Sequence, residues 1–213
     1  MITKSKSVLI IVAHPDDETL WAGGTILSHP EWDCFIICLC RKNDEDRAPK
    51  FAKVLHTLGS HGIMGDLDDG PDQIPLLENE VEEAIIELLP AKHFDLILTH
   101  SIYGEYTKHL RHSEIGKAVI FLWSKGKINA EEVWAFAYED NNRTHFPLTI
   151  EEAPLFFSLP PEIWKTKYCL ITEVYGFNKE SWEAQTTPKE EAFWQFTNPE
   201  KAMLFLESSK IKT

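Results

Sequence analysis

The sequence has few basic residues, since 21 Lys and Arg stand against 34 Asp and Glu and give a formal charge of -13 at pH 7. This balance repels phosphate backbones, so we expect no nucleic-acid partner. No stretch approaches the roughly 18 apolar residues that a membrane-spanning helix requires, and the short N-terminal apolar run lacks a small-residue cleavage site. We therefore expect a soluble protein with no transmembrane segment and a neutral or small partner.

Cysteine is also scarce, with four residues in a chain of 213. Cys34, Cys38 and Cys40 share parity in the run DCFIICLC and are expected to point to one face of a strand. Their spacing fits neither a usual zinc knuckle nor a secreted disulfide framework, so we interpret them as packing residues. A reducing compartment fits this usage, and we expect a cytoplasmic protein.

Four apolar runs are continuous rather than alternating, as expected of parallel strands covered on both faces. They read SVLIIVAH, DCFIICLC, FDLILTH and EVWAFAYE. Longer amphipathic segments between them predict helices at 18–28, 48–58, 78–89 and 112–124. This alternation predicts an α/β fold with a doubly wound, mostly parallel sheet.

The length favours one domain over residues 1–213, because a chain of this size with 43% hydrophobic residues would be cramped as two. After Glu139 prolines and aromatics replace clean periodicity, which indicates an irregular cap or edge over about residues 140–213. Within it, KYCLITEVYGF predicts a further strand. PKEEAFWQFTNPEKAMLFLESS predicts helical pieces broken near Pro199.

The first apolar strand ends in a histidine, a proline and three consecutive acids, AHPDDE. Burying these charges is unfavourable without compensation, and a bound cation is the simplest source of it. Open α/β sheets bind ligands beyond the carboxyl ends of their strands, where His14, Asp16 and Asp17 fall. Imidazole and carboxylate suit zinc, and an adjacent carboxylate left off the metal can accept a proton from water. Helix capping is the alternative interpretation of the acids.

A second group of polar residues follows the run FDLIL. His109 and His112 stand three apart at the opening of the next predicted helix, so both can face one cavity, one on a metal and the other towards substrate. His100 ends the strand itself. We interpret it as a packing residue in preference to a support for the site.

Taken together, AHPDDE, the following AGGTI and the later THSIYGEYTKHLRH resemble the PIG-L/LmbE family of zinc-dependent N-deacetylases. The resemblance implies a Rossmann-like fold with helices on both faces. It also implies removal of an acetyl group from an N-acetylglucosamine-type conjugate. Carried over by position, it makes His14, Asp17 and His112 the zinc ligands. Asp16 becomes the general base and His109 the group that stabilises the oxyanion.

The resemblance spans roughly residues 7–124 and contains one departure. Many members read HPDH where this chain has HLRH, so Arg111 replaces the acid that orients the family's histidine. Either another carboxylate such as Glu105 takes over that role, or His109 is tuned differently.

Two further residues resemble substrate-contacting positions of the family. Arg47 precedes a predicted helix and resembles a substrate-facing arginine, with a helix-start surface charge as the alternative. Asp69 resembles a sugar-contacting acid, with the turn-forming sequence DDGPD as the alternative.

Three alternatives stay open at the level of sequence. The same metal site would serve a zinc amidase that acts on a non-sugar N-acyl substrate, and Fe²⁺ suits the same ligand set as Zn²⁺. A non-catalytic nucleotide-binding domain is disfavoured, because the GxGxxG pattern is missing and acids stand where phosphate would bind. The oligomeric state is open and includes a homo-oligomer.

Overall fold

The computed structural model describes residues 5–107 and 109–209. Strands and helices alternate through the first two thirds of these ranges. The strands are β1 (Ser7–Val12), β2 (Asp33–Cys38), β3 (His61–Met64), β4 (Phe94–Thr99), β5 (Ala130–Phe136), β6 (Tyr138–Glu139), β7 (Leu148–Thr149), β8 (Leu155–Ser158) and β9 (Glu190–Phe196). The α-helices are α1 (Asp17–Ser28), α2 (Arg47–Thr57), α3 (Glu78–Leu88), α4 (Leu110–Ser124), α5 (Pro161–Cys169), α6 (Trp182–Thr186) and α7 (Pro199–Ser209), and a π-helix covers Leu170–Val174.

Seven of the strands form one sheet in the order β3-β2-β1-β4-β5-β9-β8. The first five of these pair in parallel, whereas β9 runs antiparallel to both β5 and β8. Strands β6 and β7 form a separate antiparallel pair. The predicted fold class is therefore confirmed: a single α/β domain built on a mostly parallel sheet.

The continuous apolar runs arise because the central strands are buried on both faces. On β1, Val8 and Ile10 point into one layer of core, and Leu9 and Ile11 point into the other. Residues of α1, α2 and the π-helix complete the first layer, and residues of α3, α4 and α7 complete the second. Successive strand residues face opposite sides, so both parities must be apolar when both sides are covered.

The strand order reverses at β1, which lies between β2 and β4. The segments that follow β1 and β4 therefore diverge and leave a crevice between them. This is the usual ligand position of such sheets. Helix α4 approaches this edge closely. A Cβ on Gly116 would lie 2.5 Å from the carbonyl oxygen of His100. Glycine thus lets the first turn of α4 reach the crevice.

The region after residue 139 is attached to α1 through Glu191, which also forms a buried ion pair within that region. Lys167 and Glu191 are both fully buried, with Nζ 2.6 Å from Oε1. The Glu191 carboxylate also accepts hydrogen bonds from the backbone N–H groups of Gly24 and Thr25. A Cβ on Gly24 would lie 2.3 Å from the Leu159 side chain, so the AGGTI helix needs glycine for this packing.

The structure confirms the four predicted helices and corrects two elements predicted after residue 139. The four predicted helices begin and end within two residues of α1 to α4. The strand predicted in KYCLITEVYGF is wrong, because that segment ends α5 and forms the π-helix. The helical interpretation of PKEEAFWQF is also wrong, since this segment contains β9; a helix does begin at Pro199. Within the described ranges, no helix combines the length and the apolar character needed to cross a membrane.

Candidate metal centre

Three side chains meet at the carboxyl edge of the sheet. His14 follows β1, Asp17 begins α1, and His112 lies in the first turn of α4. His14 Nδ1 is 3.1 Å from Asp17 Oδ2. His112 Nε2 is 3.3 Å from each of these two atoms. The three atoms therefore form a nearly equilateral triangle.

The triangle has the dimensions of three ligands on one ion. Two ligand atoms about 2.0–2.1 Å from a tetrahedral Zn²⁺ lie about 3.3 Å apart. The donor set of two imidazole nitrogens and one carboxylate oxygen is also that of catalytic zinc sites. The side chains predicted as ligands thus fit the metal that the resemblance implies.

His100 lies directly behind this triangle but is not positioned as a ligand. Its Nε2 is 3.5 Å from Asp17 Oδ2, and its ring stacks on His112 with centroids 3.9 Å apart. The backbone N–H of Ala13 donates to His100 Nε2 at 2.9 Å, so this nitrogen already uses its lone pair. The Nδ1–H must then donate to Glu105, 2.9 Å away. His100 therefore contacts both Asp17 and His112 and supports the site, in addition to packing.

A carboxylate lies against the outer nitrogen of each predicted histidine ligand. Glu105 Oε2 is 2.5 Å from His112 Nδ1, and Asp69 Oδ1 is 3.1 Å from His14 Nε2. The second contact lies outside hydrogen-bonding geometry, and the buried His14 Nε2 has no hydrogen-bond partner among the described residues. A carboxylate that accepts a hydrogen bond here fixes the ring orientation of a histidine ligand and increases its basicity, as Glu105 does for His112.

The local electrostatic field favours positive charge at the triangle. Burial alone would lower the pKa of His14, but Asp17 and Asp69 raise it to about 10. Burial alone would raise the pKa of Asp17, yet contacts with His112 and His100 hold it well below its usual range. A cation bound here would take the place of that proton without leaving uncompensated charge.

Asp16 stands beside the triangle in a strained backbone conformation, with φ 129° and ψ -29°. Its carboxylate makes no capping hydrogen bond to α1, so the capping interpretation does not hold for Asp16. Instead, Asp16 Oδ2 accepts a hydrogen bond from Arg47 Nη1 at 3.0 Å. Burial and then the charge of Asp17 raise the pKa of Asp16 well above its usual range, although Arg47 and His14 oppose this. The Arg47 side chain thus lines the same cavity as Asp16.

His109 precedes α4 and faces the same space. Its ring centroid is 4.8 Å from that of His14 and 4.0 Å from that of His112. Burial, followed by the neighbouring histidines, lowers the pKa of His109 to about 2. Its buried Nδ1 has no hydrogen-bond partner among the described residues. The lowered pKa favours a neutral imidazole, and Nδ1 is free to bond to a ligand.

Glu105 does not take the place of the missing family acid next to His109. Its oxygens accept from His100, His112 and the backbone N–H of Ser101. The other sequence alternative is the one that the contacts favour: His109 is tuned differently, by burial and by neighbouring rings.

Arg111 has a different use in this chain. Its side chain is fully buried, pairs with Glu114, and donates to the backbone carbonyls of Asp68 and Ile74. These bonds attach the loop that carries Asp69 to α4. Asp69 Oδ2 in turn accepts from Arg41 at 2.7 Å, and Oδ1 accepts from Gln73 at 2.9 Å.

The triangle opens into a cavity of about 290 Å³. All the predicted site residues line this cavity except His112, which is fully buried. The lining residues that sequence reasoning missed include five with polar or aromatic side chains: Arg41, Gln73, Tyr106, Trp182 and Glu183. Tyr106, Trp182 and Glu183 also line an adjacent, larger cavity of about 760 Å³, bordered by Arg143 and Phe146. No motif marked these residues, because they come from loops and from the irregular region.

Comparison with known proteins gives one related sequence and several related structures. No protein-family model matches the chain. It is 22% identical over 179 residues to the uncharacterized protein L374 of Acanthamoeba polyphaga mimivirus, covering 76% of each chain. Among solved structures, it is similar to N,N'-diacetylchitobiose deacetylase from Pyrococcus horikoshii, with TM-score 0.68, 17% identity, and coverage of 94% of this chain and 86% of the other.

Two other solved structures share the fold. The zinc-inhibited form of the teicoplanin deacetylase Orf2 has a TM-score of 0.62 and 14% identity, over 89% of this chain and 96% of the other. GalB, a 4-carboxy-2-hydroxymuconate hydratase from Pseudomonas putida KT2440, has a TM-score of 0.58 and 18% identity, over 91% and 97%. The chain thus has the fold of the PIG-L/LmbE-like proteins. The sequence resemblance is confirmed at the level of fold.

Proposed function

We propose that this protein is a zinc-dependent hydrolase that removes the acetyl group from an N-acetylglucosamine-type amino-sugar conjugate. The observation that carries the proposal is the triangle of His14, Asp17 and His112 with a separate carboxylate, Asp16, beside it. Such a site has both a place for a metal and an acid that the metal does not use.

The related structures support this reaction but do not single it out. Two are described as deacetylases of a chitobiose derivative and of an antibiotic, whereas a third is a hydratase. The reaction must therefore be argued from the side chains, because one fold serves several chemistries.

We assign the metal to His14, Asp17 and His112, with Glu105 orienting the His112 ring through a hydrogen bond and Asp69 placing negative charge beside the His14 ring. Zinc bound there supplies a Lewis acid and a water that is acidic enough to react at neutral pH. Fe²⁺ suits the same donors, so the identity of the metal is part of the experiment below.

Asp16 acts as the proton carrier of the reaction. It accepts a proton from the attacking water and returns it to the departing amine nitrogen, so one carboxylate serves as base and then as acid. Arg47 holds one oxygen of Asp16 in place through Nη1. Burial and the neighbouring histidines lower the pKa of His109, so we assign the protonation of the amine to Asp16 and not to His109.

His109 stabilises the negative charge that develops on the acetyl oxygen. A neutral imidazole carries one N–H, and its ring faces the triangle without a described partner for Nδ1. In the tautomer that carries its proton on Nδ1, His109 has a donor that no described residue uses, and oxyanion stabilisation requires such a donor.

We place the N-acetyl amino sugar in the smaller cavity and the group attached to it in the larger one. The common wall contains the rings of Tyr106 and Trp182, whose centroids lie 4.6 Å apart. Arg47 and Asp69 line the smaller cavity and are our proposed contacts to the sugar. Each also has a partner inside the protein, which fixes its position before substrate arrives.

The proposal is tested by measuring acetate release from two sets of compounds. One set contains N-acetylglucosamine conjugates with different attached groups, and the other contains N-acetyl amino acids. We expect acetate from the sugar set, loss of activity with a chelator, and recovery with one equivalent of Zn²⁺. The metal is added stoichiometrically because a related deacetylase is described in a zinc-inhibited form.

Each result of this assay is decisive. Acetate from the amino acids alone would assign a non-sugar amidase. Recovery with Fe²⁺ but not Zn²⁺ would change the metal. No acetate from either set, with one equivalent of metal bound, would refute the deacetylase.

A further inference from the structure

We infer that Tyr175, Gly176 and Phe177, which follow the π-helix, form a positioning element for Asp16. The inference rests on the proposed function because it takes Asp16 as the proton carrier. It assigns a task to the irregular C-terminal region, which lies about 160 residues further along the chain. Two separate chains of contacts lead from this element to Asp16.

The first chain of contacts holds the backbone of Asp16. The Tyr175 hydroxyl donates to Glu18 Oε1 at 2.8 Å, and Glu18 Oε2 accepts the backbone N–H of Asp16 at 3.1 Å. Glu18 is fully buried and Tyr175 nearly so. Asp16 has φ 129°, a conformation that a residue other than glycine keeps only when its surroundings hold it.

The second chain of contacts holds the carboxylate of Asp16. The Arg47 guanidinium lies over the ring of Phe177, 4.5 Å from its centroid, and Arg47 Nη1 donates to Asp16 Oδ2 at 3.0 Å. Arginine stacked on an aromatic face loses freedom of its side chain, so the donor stays aimed at one oxygen. Phe177 therefore restricts the directions that the Asp16 carboxylate can take.

The local backbone explains how neighbouring residues reach two different partners. Tyr175 N–H donates to the Leu170 carbonyl at 2.9 Å, which closes the wide turn of the π-helix. Gly176 follows with φ 79°, a conformation that favours glycine. This glycine separates the two side chains, so that Tyr175 contacts Glu18 and Phe177 contacts Arg47, and each of these partners binds a different part of Asp16.

The first experiment is a double-mutant cycle on acetate release. We expect Phe177→Leu to lower kcat by about 10- to 100-fold with KM within about two-fold, since a misplaced catalytic group costs up to about 100-fold. Phe177→Trp, which keeps an aromatic face, should recover most of the loss. In an Asp16→Asn background Phe177→Leu should have no further effect.

The matched control is Phe156→Leu, an exposed ring on β8 that lies away from the site. It should leave kcat unchanged. Equal losses from Phe177→Leu in both the Asp16 and the Asn backgrounds would overturn the inference, because they would show an effect that does not pass through Asp16.

The second experiment needs no turnover, so it separates this inference from the proposed function. In the metal-free protein, Tyr175→Phe should speed hydrogen exchange at the Asp16 amide by at least about ten-fold, as measured by NMR. Tyr103→Phe, at a half-exposed tyrosine, should leave it unchanged. Unchanged exchange in Tyr175→Phe would overturn the backbone half of the inference, even if the protein proves to be a deacetylase.

Discussion

Replacing Glu105 by Gln is expected to weaken both the fold and the metal centre. The carboxylate is fully buried and accepts three hydrogen bonds, two from imidazole Nδ1–H groups and one from a backbone N–H. A glutamine offers one oxygen and an NH₂ group. The NH₂ group would face an imidazole donor, so at least one buried donor would lose its partner.

The magnitude follows from the acidity of this group. Burial alone would raise the pKa of Glu105, but His100 and His112 lower it from 4.5 to about 2. The lowered pKa corresponds to roughly 3 kcal/mol of stabilisation at pH 7, present above pH 4.5 and lost as pH falls through 2. At pH 3 only about 1 kcal/mol of it remains by the same linkage.

The assay is urea unfolding of metal-free wild type and Glu105→Gln at pH 7 and pH 3. The difference in free energy of unfolding should be about 3 kcal/mol at pH 7 and should shrink by more than half at pH 3. A difference of equal size at both pH values would refute the reasoning, because a purely steric defect does not depend on protonation.

The same variant should bind Zn²⁺ about 10- to 100-fold more weakly at pH 7, the usual effect of losing a partner behind a metal ligand. A chromophoric chelator in competition measures this. Glu183→Gln, in the wall of the same cavity, provides the control and should leave the affinity unchanged.

Three more predictions concern other parts of the site. Asp16→Asn should keep one equivalent of metal but lose turnover by at least about 100-fold, whereas His14→Ala should lose both, as metal analysis beside acetate release will show. Because the pKa of His14 is raised to about 10, Zn²⁺ must displace its proton; the affinity should therefore rise about ten-fold per pH unit above pH 7, and calorimetry in two buffers should detect proton release. A pH-independent affinity would contradict this. Arg111→Met should lower the free energy of unfolding by about 3–5 kcal/mol, because it leaves Glu114 without its buried partner. The exposed Lys117→Met should change it by under about 0.5 kcal/mol, and equal effects of the two would contradict the assignment.

The sequence predicts the central fold well because its signals are local. Each of β1, β2 and β4 is a short apolar run buried on both faces, and α1 to α4 carry helical periodicity over 11 to 15 residues. The same rule fails for KYCLITEVYGF. Its buried residues Leu170, Ile171 and Tyr175 lie on one face of a helical turn, but β-branched and aromatic residues also suit a strand. Packing against α1 and α2 decides in favour of the helix.

The candidate site divides in the same way. AHPDDE and HLRH are each an unbroken run of residues. The triangle and Asp16 can therefore be predicted from the sequence and from the family resemblance. The contact between Tyr175 and Glu18 joins residues 157 positions apart, and only the folded chain brings them together. Arg111 shows the limit of the resemblance. Its departure from the family pattern was visible in the sequence, but its bonds to the loop that carries Asp69 were not.

The attachment of Lys167 and Glu191 to α1 has a consequence for how far the chain can be shortened. A fragment ending near residue 124 would keep every proposed metal ligand, yet it would expose the apolar flank of α1 and release the N–H groups of Gly24 and Thr25 from Glu191. We therefore expect that the half of the chain that contains the motifs does not fold as an independent unit. The proposed metal site depends on packing against the C-terminal region, which carries no recognisable motif of its own.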